Sequence, residues 1–234
     1  MNAVSQLSLF SADLTAPRSA DLGGLLAAHG QVARDEHGVR LSILLSAAWR
    51  ARALLREFQV RDVDGEVLDR AAAGDEWTDA AVPVGASASA GAPMSTADVP
   101  LPLPPGSGAD AAVLLRSGRT GRLDALAVEW TRGAVKSVPV ALRAEAGLLR
   151  CWVLAAGRPD EAGWFLGLDP RAPDTHEPLA AALAAAGLAG SLLGVRAGGP
   201  GVRITGHRRR TRLAELVGSP PPEVPAGLFP QLDR

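Results

Sequence analysis

Apolar residues along this chain recur at two spacings, and the elements they predict follow from that. Ala51, Leu54, Leu55 and Phe58 stand at i, i+3, i+4 and i+7, with Arg50, Arg52, Arg56 and Glu57 among them. This predicts an amphipathic helix behind a Ser46 cap. The preceding VRLSILLS reads as a strand. Further on, AAVLL predicts a strand, and Leu123, Leu126, Ala127 and Trp130 repeat the helical spacing. Near the end GVRIT predicts a strand, and Leu213, Leu216 and Val217 mark a short helix that Gly218 ends. Trp49, Trp130 and Trp152 fall on apolar helical faces and are expected in the core rather than as base-stacking platforms.

The same order of elements occurs twice. DLGGLLAAHGQ at 21–31 precedes the strand VRLSILLS and a helix; LLRCWVLAAGR at 148–158 precedes the strand GWFLGLD and an Ala-rich helix around 177–186. VLLRSGRTGRLDALAVEW at 113–130 and VRITGHRRRTRLAELVG at 202–218 then close the two halves alike, each as a strand, a polar turn and a helix. Residues 73–109, rich in Ala, Ser, Gly and Pro with little amphipathic period, are expected to be a disordered insertion in the first copy. The organisation predicted is a flexible tail at 1–16, a first repeat at 17–133, a second at 134–220, and an extended Pro-rich tail at 221–234.

Composition narrows the class. A chain of 234 residues, 47% hydrophobic and 21% charged, can build one sizeable core. Its 24 Lys and Arg against 25 Asp and Glu leave a net charge of −1, so contact with nucleic acid must come from a local patch. The single cysteine, Cys151, excludes an intramolecular disulfide and is expected to be a buried small residue; four scattered histidines beside it make no zinc spacing. The start lacks the basic and apolar run of a signal peptide, so a cytoplasmic location is expected. The uncharged stretch 178–195 approaches bilayer length, but its Ala and Gly content, with Gly187 in the middle, reads as a buried helix followed by a strand. The absence of Tyr and the abundance of Ala, Gly, Pro and Arg resemble a genomic base-composition bias, and no function follows from them.

LGGLLAAHG at 22–30 resembles the nine-residue motif that names the LAGLIDADG homing-endonuclease family, with Leu22, Gly24, Leu25, Ala28 and Gly30 identical to it. LRCWVLAAG at 149–157 keeps Leu149, Ala155 and Gly157, and KSVP at 136–139 lies where such proteins often carry a Lys and a Pro ahead of the motif helix. The resemblance covers about residues 17–220. It implies an α+β fold of two LAGLIDADG-like αββαββα repeats in one pseudo-two-fold domain, the two motif helices packed together and two saddle-shaped sheets lying over a DNA groove. Gly24, Ala27, Ala28, Cys151, Ala155 and Ala156 are small enough for the close approach, and Gly30 and Gly157 are expected to stop the helices in the left-handed conformation.

Catalysis does not carry over from the resemblance. Active members hold divalent metals on an acidic residue before the last Gly of each motif, and those positions are His29 and Ala156 here. Alanine ligates nothing, and a lone His is a poor site for a magnesium ion. Asp35, Glu36, Asp160 and Glu161 lie a few residues beyond and are expected to face away in turns. A non-catalytic body without cofactor or metal is expected, similar in that respect to the WhiA-type sporulation regulators. The basic run HRRRTR at 207–212 opposes the dipole of the helix it starts, so a phosphate-contacting role is one reading, with Arg40, Arg203, Arg208, Arg209 and Arg210 as candidates on double-stranded DNA. A solvated basic turn is the other.

QLSLF, formed by Gln6, Leu7, Ser8, Leu9 and Phe10, resembles the peptide with which bacterial replication and mismatch-repair proteins dock on the sliding clamp. That pattern asks for Gln first, an aliphatic residue fourth and usually Phe fifth. Gln6 would hydrogen-bond at one subsite while Leu9 and Phe10 fill an apolar pocket, and two or three such anchors carry most of a short peptide's binding energy. The other reading is that these apolar residues pack on the body. The function that the two resemblances imply is a non-enzymatic accessory of DNA replication or repair, a nucleoid-associated monomer docked on the bacterial sliding clamp; the alternative is a WhiA-like DNA-binding transcription regulator, and a residual nuclease is a third possibility.

Overall fold

The structure is a computed structural model, and it describes residues 10–69, 112–194 and 198–232. Gln6, Leu7, Ser8 and Leu9 of the expected docking segment, and the expected insertion at 73–109, lie outside the described residues.

Mixed α+β architecture follows from the two spacings. Strand β2, Gly38–Leu45, alternates half-buried and buried positions along its whole length, so Val39, Leu41, Ile43 and Leu45 form one apolar face. It pairs antiparallel with β1, Gln31–Asp35, and with β4, Val113–Ser117; β3, Gly65–Asp69, completes a sheet of order β1-β2-β4-β3. A second antiparallel sheet is built from β7, Gly157–Asp160, β8, Gly163–Gly167, β9, Ser191–Leu193, and β10, Gly201–Thr205. Its order is β7-β8-β10-β9, the same path as the first. Trp164, Leu166, Val202 and Ile204 are its buried face. A two-stranded hairpin, β5 (Thr131–Arg132) and β6 (Val135–Lys136), turns at Gly133 and links the halves.

Helices cover the buried faces: α1 (Gly23–Ala27), α2 (Ala48–Gln59), α3 (Asp124–Trp130), α4 (Ala146–Ala156), α5 (His176–Ala185) and α6 (His207–Val217). α4 is apolar nearly all round, as a central helix must be, and Arg150 is its one charged residue. One continuous core joins both halves, with Trp130 and Trp152 fully enclosed and Trp49 packed at its margin. Among the described residues no helix is long and apolar enough to cross a membrane.

Backbones of α1 and α4 meet at small residues. A Cβ on Gly24 would lie 2.3 Å from the Leu148 carbonyl oxygen and 2.5 Å from the Trp152 nitrogen, so only glycine permits this approach. At the other end of the contact, a Cβ on Gly147 would meet the Asp21 carboxylate at 2.4 Å.

Four local expectations change. The first motif helix is short, a 3-10 turn at Ser19–Leu22 running into the five residues of α1. Gly30 and Gly157 are not left-handed: Gly157 is extended, with φ −78°, and Gly30 is not among the positive-φ residues. Both are glycine for lack of room, since a Cβ at either would sit 2.6 Å from the carbonyl oxygen of Leu25 or Val153. Ser46 is not the cap of α2; because β2 runs to Leu45, two residues make the turn, and Ala47 takes the capping position without a side-chain bond. The segment from Ser11 is docked on the body, and the Pro-rich segment expected to be extended is turned. Ser11 is buried and the Ala12 N–H donates to the Leu216 carbonyl at 2.8 Å, while the Pro-rich segment folds in turns that bury Phe229. Of the expected flexible tail at 1–16, the described part from Ser11 onward is held, because Ser11 is covered and Ala12 and Asp13 bond to the end of α6.

Candidate functional site

The last carbonyls of a helix lack partners within it, and the C-terminal ends of α1 and α4 meet that demand crosswise. Lys136, in the hairpin between the halves, places Nζ 3.2 Å from the Leu26 carbonyl of α1. Arg50, on α2, donates to the carbonyls of Val153, Leu154 and Gly157 at 3.3, 2.7 and 2.5 Å, gathering the end of α4. Cations at helix C-termini also oppose the negative end of the helix dipole. Lys136 is balanced by Asp169, whose Oδ2 lies 2.5 Å from Nζ and whose Oδ1 accepts from the Arg171 N–H at 2.9 Å.

Two histidines border this cluster. His29 Nε2 lies 2.6 Å from the Leu44 carbonyl and His176 Nε2 2.7 Å from the Asp169 carbonyl. A carbonyl only accepts, so Nε2 carries the proton in both rings. Burial pushes the Arg50 guanidinium down to about 10. Burial also holds Lys136 and His29 below their ordinary values, with Asp169 pulling the other way in both cases. His29 is therefore a neutral donor at pH 7.

The donor set does not fit the paired divalent metals that active members of the resembled family hold. His29 is bonded to backbone, Ala156 has no donor, Asp169 is committed to Lys136, and Arg50 and Lys136 bring positive charge to both helix ends. Among the described residues no three His, Cys, Asp or Glu side chains converge as a metal site. Acidity acts on this cluster through His29. Its folded-state pKa is depressed, so the unfolded chain binds more protons as pH falls below the ordinary 6.5, and stability falls in that window. Urea midpoints measured from pH 7.5 to 5.5 are expected to decline, and His29→Gln to flatten that decline; an equally steep decline in the variant refutes the assignment.

On the solvent side of the first sheet, Arg40 lies between buried Val39 and Leu41, and Arg116 pairs with Glu66 at 2.7 Å. On the second, Arg203 pairs with Asp160, and Arg158 stacks 4.1 Å over the Phe165 ring. The Arg40 Nε is enclosed without a hydrogen-bond partner among the described residues. Asp160, expected in a turn facing away, belongs to β7 and neutralises Arg203; Asp35 likewise engages Arg119 at 2.5 Å. Arg208, Arg209 and Arg210 are exposed on the first turn of α6, which contains no acidic residue. The five predicted phosphate contacts are thus dispersed: Arg40 and Arg203 lie on different sheets, and the other three lie beyond the end of β10. Arg116 and Arg158 escaped the sequence reading, although alternation in VLLRS and GRPD places them on the same faces.

A second charged cluster ties α2, α4 and both terminal segments. Arg61 donates to Asp21 at 3.0 Å and to Glu57 at 2.7 Å; Arg150 donates to Glu57 at 2.7 Å and to the carbonyls of Val217 and Ser219 at 2.8 and 2.7 Å. Asp13 lies 3.6 Å from Arg150 and accepts from the Ser219 N–H at 2.7 Å. The adjacent Cys151 thiol is pushed up to about 12, chiefly by burial, which removes it as a nucleophile. At the opposite end of α1 and α4 from His29 lies a groove of about 470 Å³ bordered by Arg18, Asp21, Trp130, Val140, Glu145 and Leu148; Arg18 and Glu145 pair at its edge.

Phe10, the one residue of the expected docking segment among the described residues, is 68% exposed, and the next residue, Ser11, is fully enclosed. No model of a protein family matches this chain, and no curated protein matches it.

Proposed function

We propose that this chain is a non-enzymatic accessory of DNA replication or repair that docks on the bacterial sliding clamp through Gln6, Leu7, Ser8, Leu9 and Phe10. The observation that carries the reading is the change at one peptide bond: Phe10, the aromatic anchor of the motif, is exposed, while Ser11 is buried in the body. A segment whose apolar residues served only to pack on the body would bury its phenylalanine, which gains roughly 1.5–3 kcal/mol from burial.

The body in this proposal is a degenerate LAGLIDADG-like pair of repeats, 17–133 and 134–220, that works as a cytoplasmic, nucleoid-associated monomer. Two features support it: the common strand path of the two sheets and the glycine-mediated contact of α1 with α4. His29 and Ala156 in place of acids, with Arg50 and Lys136 on the helix ends, support the non-enzymatic part. Delivery by the clamp would raise the local concentration of DNA to roughly millimolar, so weak contacts through Arg40, Arg203, Arg208, Arg209 and Arg210 would suffice. The cationic first turn of α6 favours the second reading, a WhiA-like regulator that binds duplex DNA unaided.

The test is binding of the full chain to purified sliding clamp beside a Gln6→Ala, Leu9→Ala, Phe10→Ala variant. The variant is expected to bind at least about 100-fold more weakly, since anchors of this kind each contribute about 2 kcal/mol or more. An unchanged binding curve overturns clamp docking, and specific duplex binding without the clamp then favours the regulator.

A further inference from the structure

Docking peptides commonly hang on linkers whose length and stiffness set how freely the attached domain moves. This chain has no linker on the C-terminal side of the motif. Phe10 is followed at once by the enclosed Ser11, and three clasps hold what comes next. The Ala12 N–H donates to the Leu216 carbonyl at 2.8 Å. Asp13 accepts from the Ser219 N–H at 2.7 Å and faces Arg150 at 3.6 Å. The Thr15 N–H and hydroxyl both donate to the Ser11 carbonyl, at 3.1 and 2.9 Å, closing the turn.

Gly218 shows how closely the segment is fitted. Its φ is +73°, and a Cβ there would lie 2.6 Å from the Asp13 carboxylate, so the end of α6 is shaped around Asp13. Consecutive Cα atoms are about 3.8 Å apart. A pocket that accepts Phe10 therefore brings its rim to within a residue or two of the body.

We infer, resting on the clamp reading above, that the body is mounted rigidly on the clamp, and that Leu14, Thr15, Ser219 and Pro220 form a second contact beside the peptide pocket. Leu14 is 54% exposed, Thr15, Ser219 and Pro220 are exposed, and the bond from the Ser219 N–H to Asp13 brings the two segments side by side. None of the four carries a charge, and the neighbouring Asp13 is engaged by Arg150 and the Ser219 N–H. An uncharged patch of this kind can lie against a neighbouring surface without stripping water from a charge. With the body held at one angle, the sheets would meet DNA in one orientation.

The test compares three full-length chains on purified clamp: native, one with about twelve Gly and Ser residues inserted between Phe10 and Ser11, and the triple alanine variant. Each is also made with Leu14→Cys carrying a photoreactive maleimide, which the buried Cys151 leaves to position 14. The native chain is expected to crosslink to the clamp from position 14, and the insertion to abolish that crosslink and weaken binding about tenfold. Equal affinity of native and insertion chains without a crosslink, while the triple substitution still abolishes binding, overturns the rigid mount and leaves clamp docking standing. Binding untouched by the triple substitution overturns the docking reading and the mount with it.

Discussion

Replacing Gly24 with alanine is expected to lower the thermal midpoint by roughly 6–12 °C. The added Cβ would lie 2.3 Å from the Leu148 oxygen, 2.5 Å from the Trp152 nitrogen and 2.8 Å from the Cys151 Cβ. Two of these neighbours are backbone atoms of α4, a helix packed on every side, so neither can turn away as a side chain would. Overpacking costs about 1–3 kcal/mol, and a clash with buried backbone belongs at the upper end. At about 2–4 °C per kcal/mol for a chain of this size, the midpoint follows. Cys151→Gly in the same chain relieves the contact between β-carbons and leaves both backbone contacts, so it is expected to restore little. Calorimetry of the single and double variants decides; a Gly24→Ala chain that melts with the native one would mean that α1 and α4 are not in backbone contact.

Arg61→Met is expected to cost about 3–5 kcal/mol, the usual result of removing one member of a buried ion pair. Arg61 is the shared partner of Asp21 and Glu57, and all three side chains are almost wholly enclosed. Methionine keeps much of the volume but leaves the Asp21 carboxylate with the Arg18 backbone N–H and a distant Arg18 side chain, while Glu57 keeps Arg150. Adding Glu57→Gln should cost less in the Arg61→Met background than in the native chain, because the uncompensated charge has already been created. Urea unfolding of the four chains in that cycle is the measurement. Additive losses would mean that the two residues do not share a network.

Much of the fold was legible from short-range pattern. The helical spacing of Ala51, Leu54 and Phe58, the alternation through β2 and the α+β class all follow from which face of a segment avoids water. Boundaries were less legible. Ser46 has the letter of a helix cap, yet β2 holds its pairing to Leu45 and moves the cap to Ala47. β3 escaped notice because its burial barely alternates. Gly30 and Gly157 were recognisable as required glycines, but the requirement is space against a carbonyl rather than a left-handed turn, and space belongs to the packed structure.

The candidate sites divide along the same line. Letters alone marked residues 6–10 as a candidate docking segment, His29 and Ala156 at the positions where the resembled motif carries acids, and the arginines proposed as phosphate contacts. Tertiary structure alone decided which charges meet. Arg150 and Glu57 are 93 positions apart, Arg50 and the Leu154 carbonyl 104, Lys136 and Asp169 33. It also decided that Arg203 is held by Asp160 and that the chain is clasped to the body from Ser11 onward. Periodicity records how one segment faces water, since burial of an apolar side chain depends little on which neighbour covers it. A charge needs one particular partner at hydrogen-bond distance, and that partner is chosen only when distant elements are packed together.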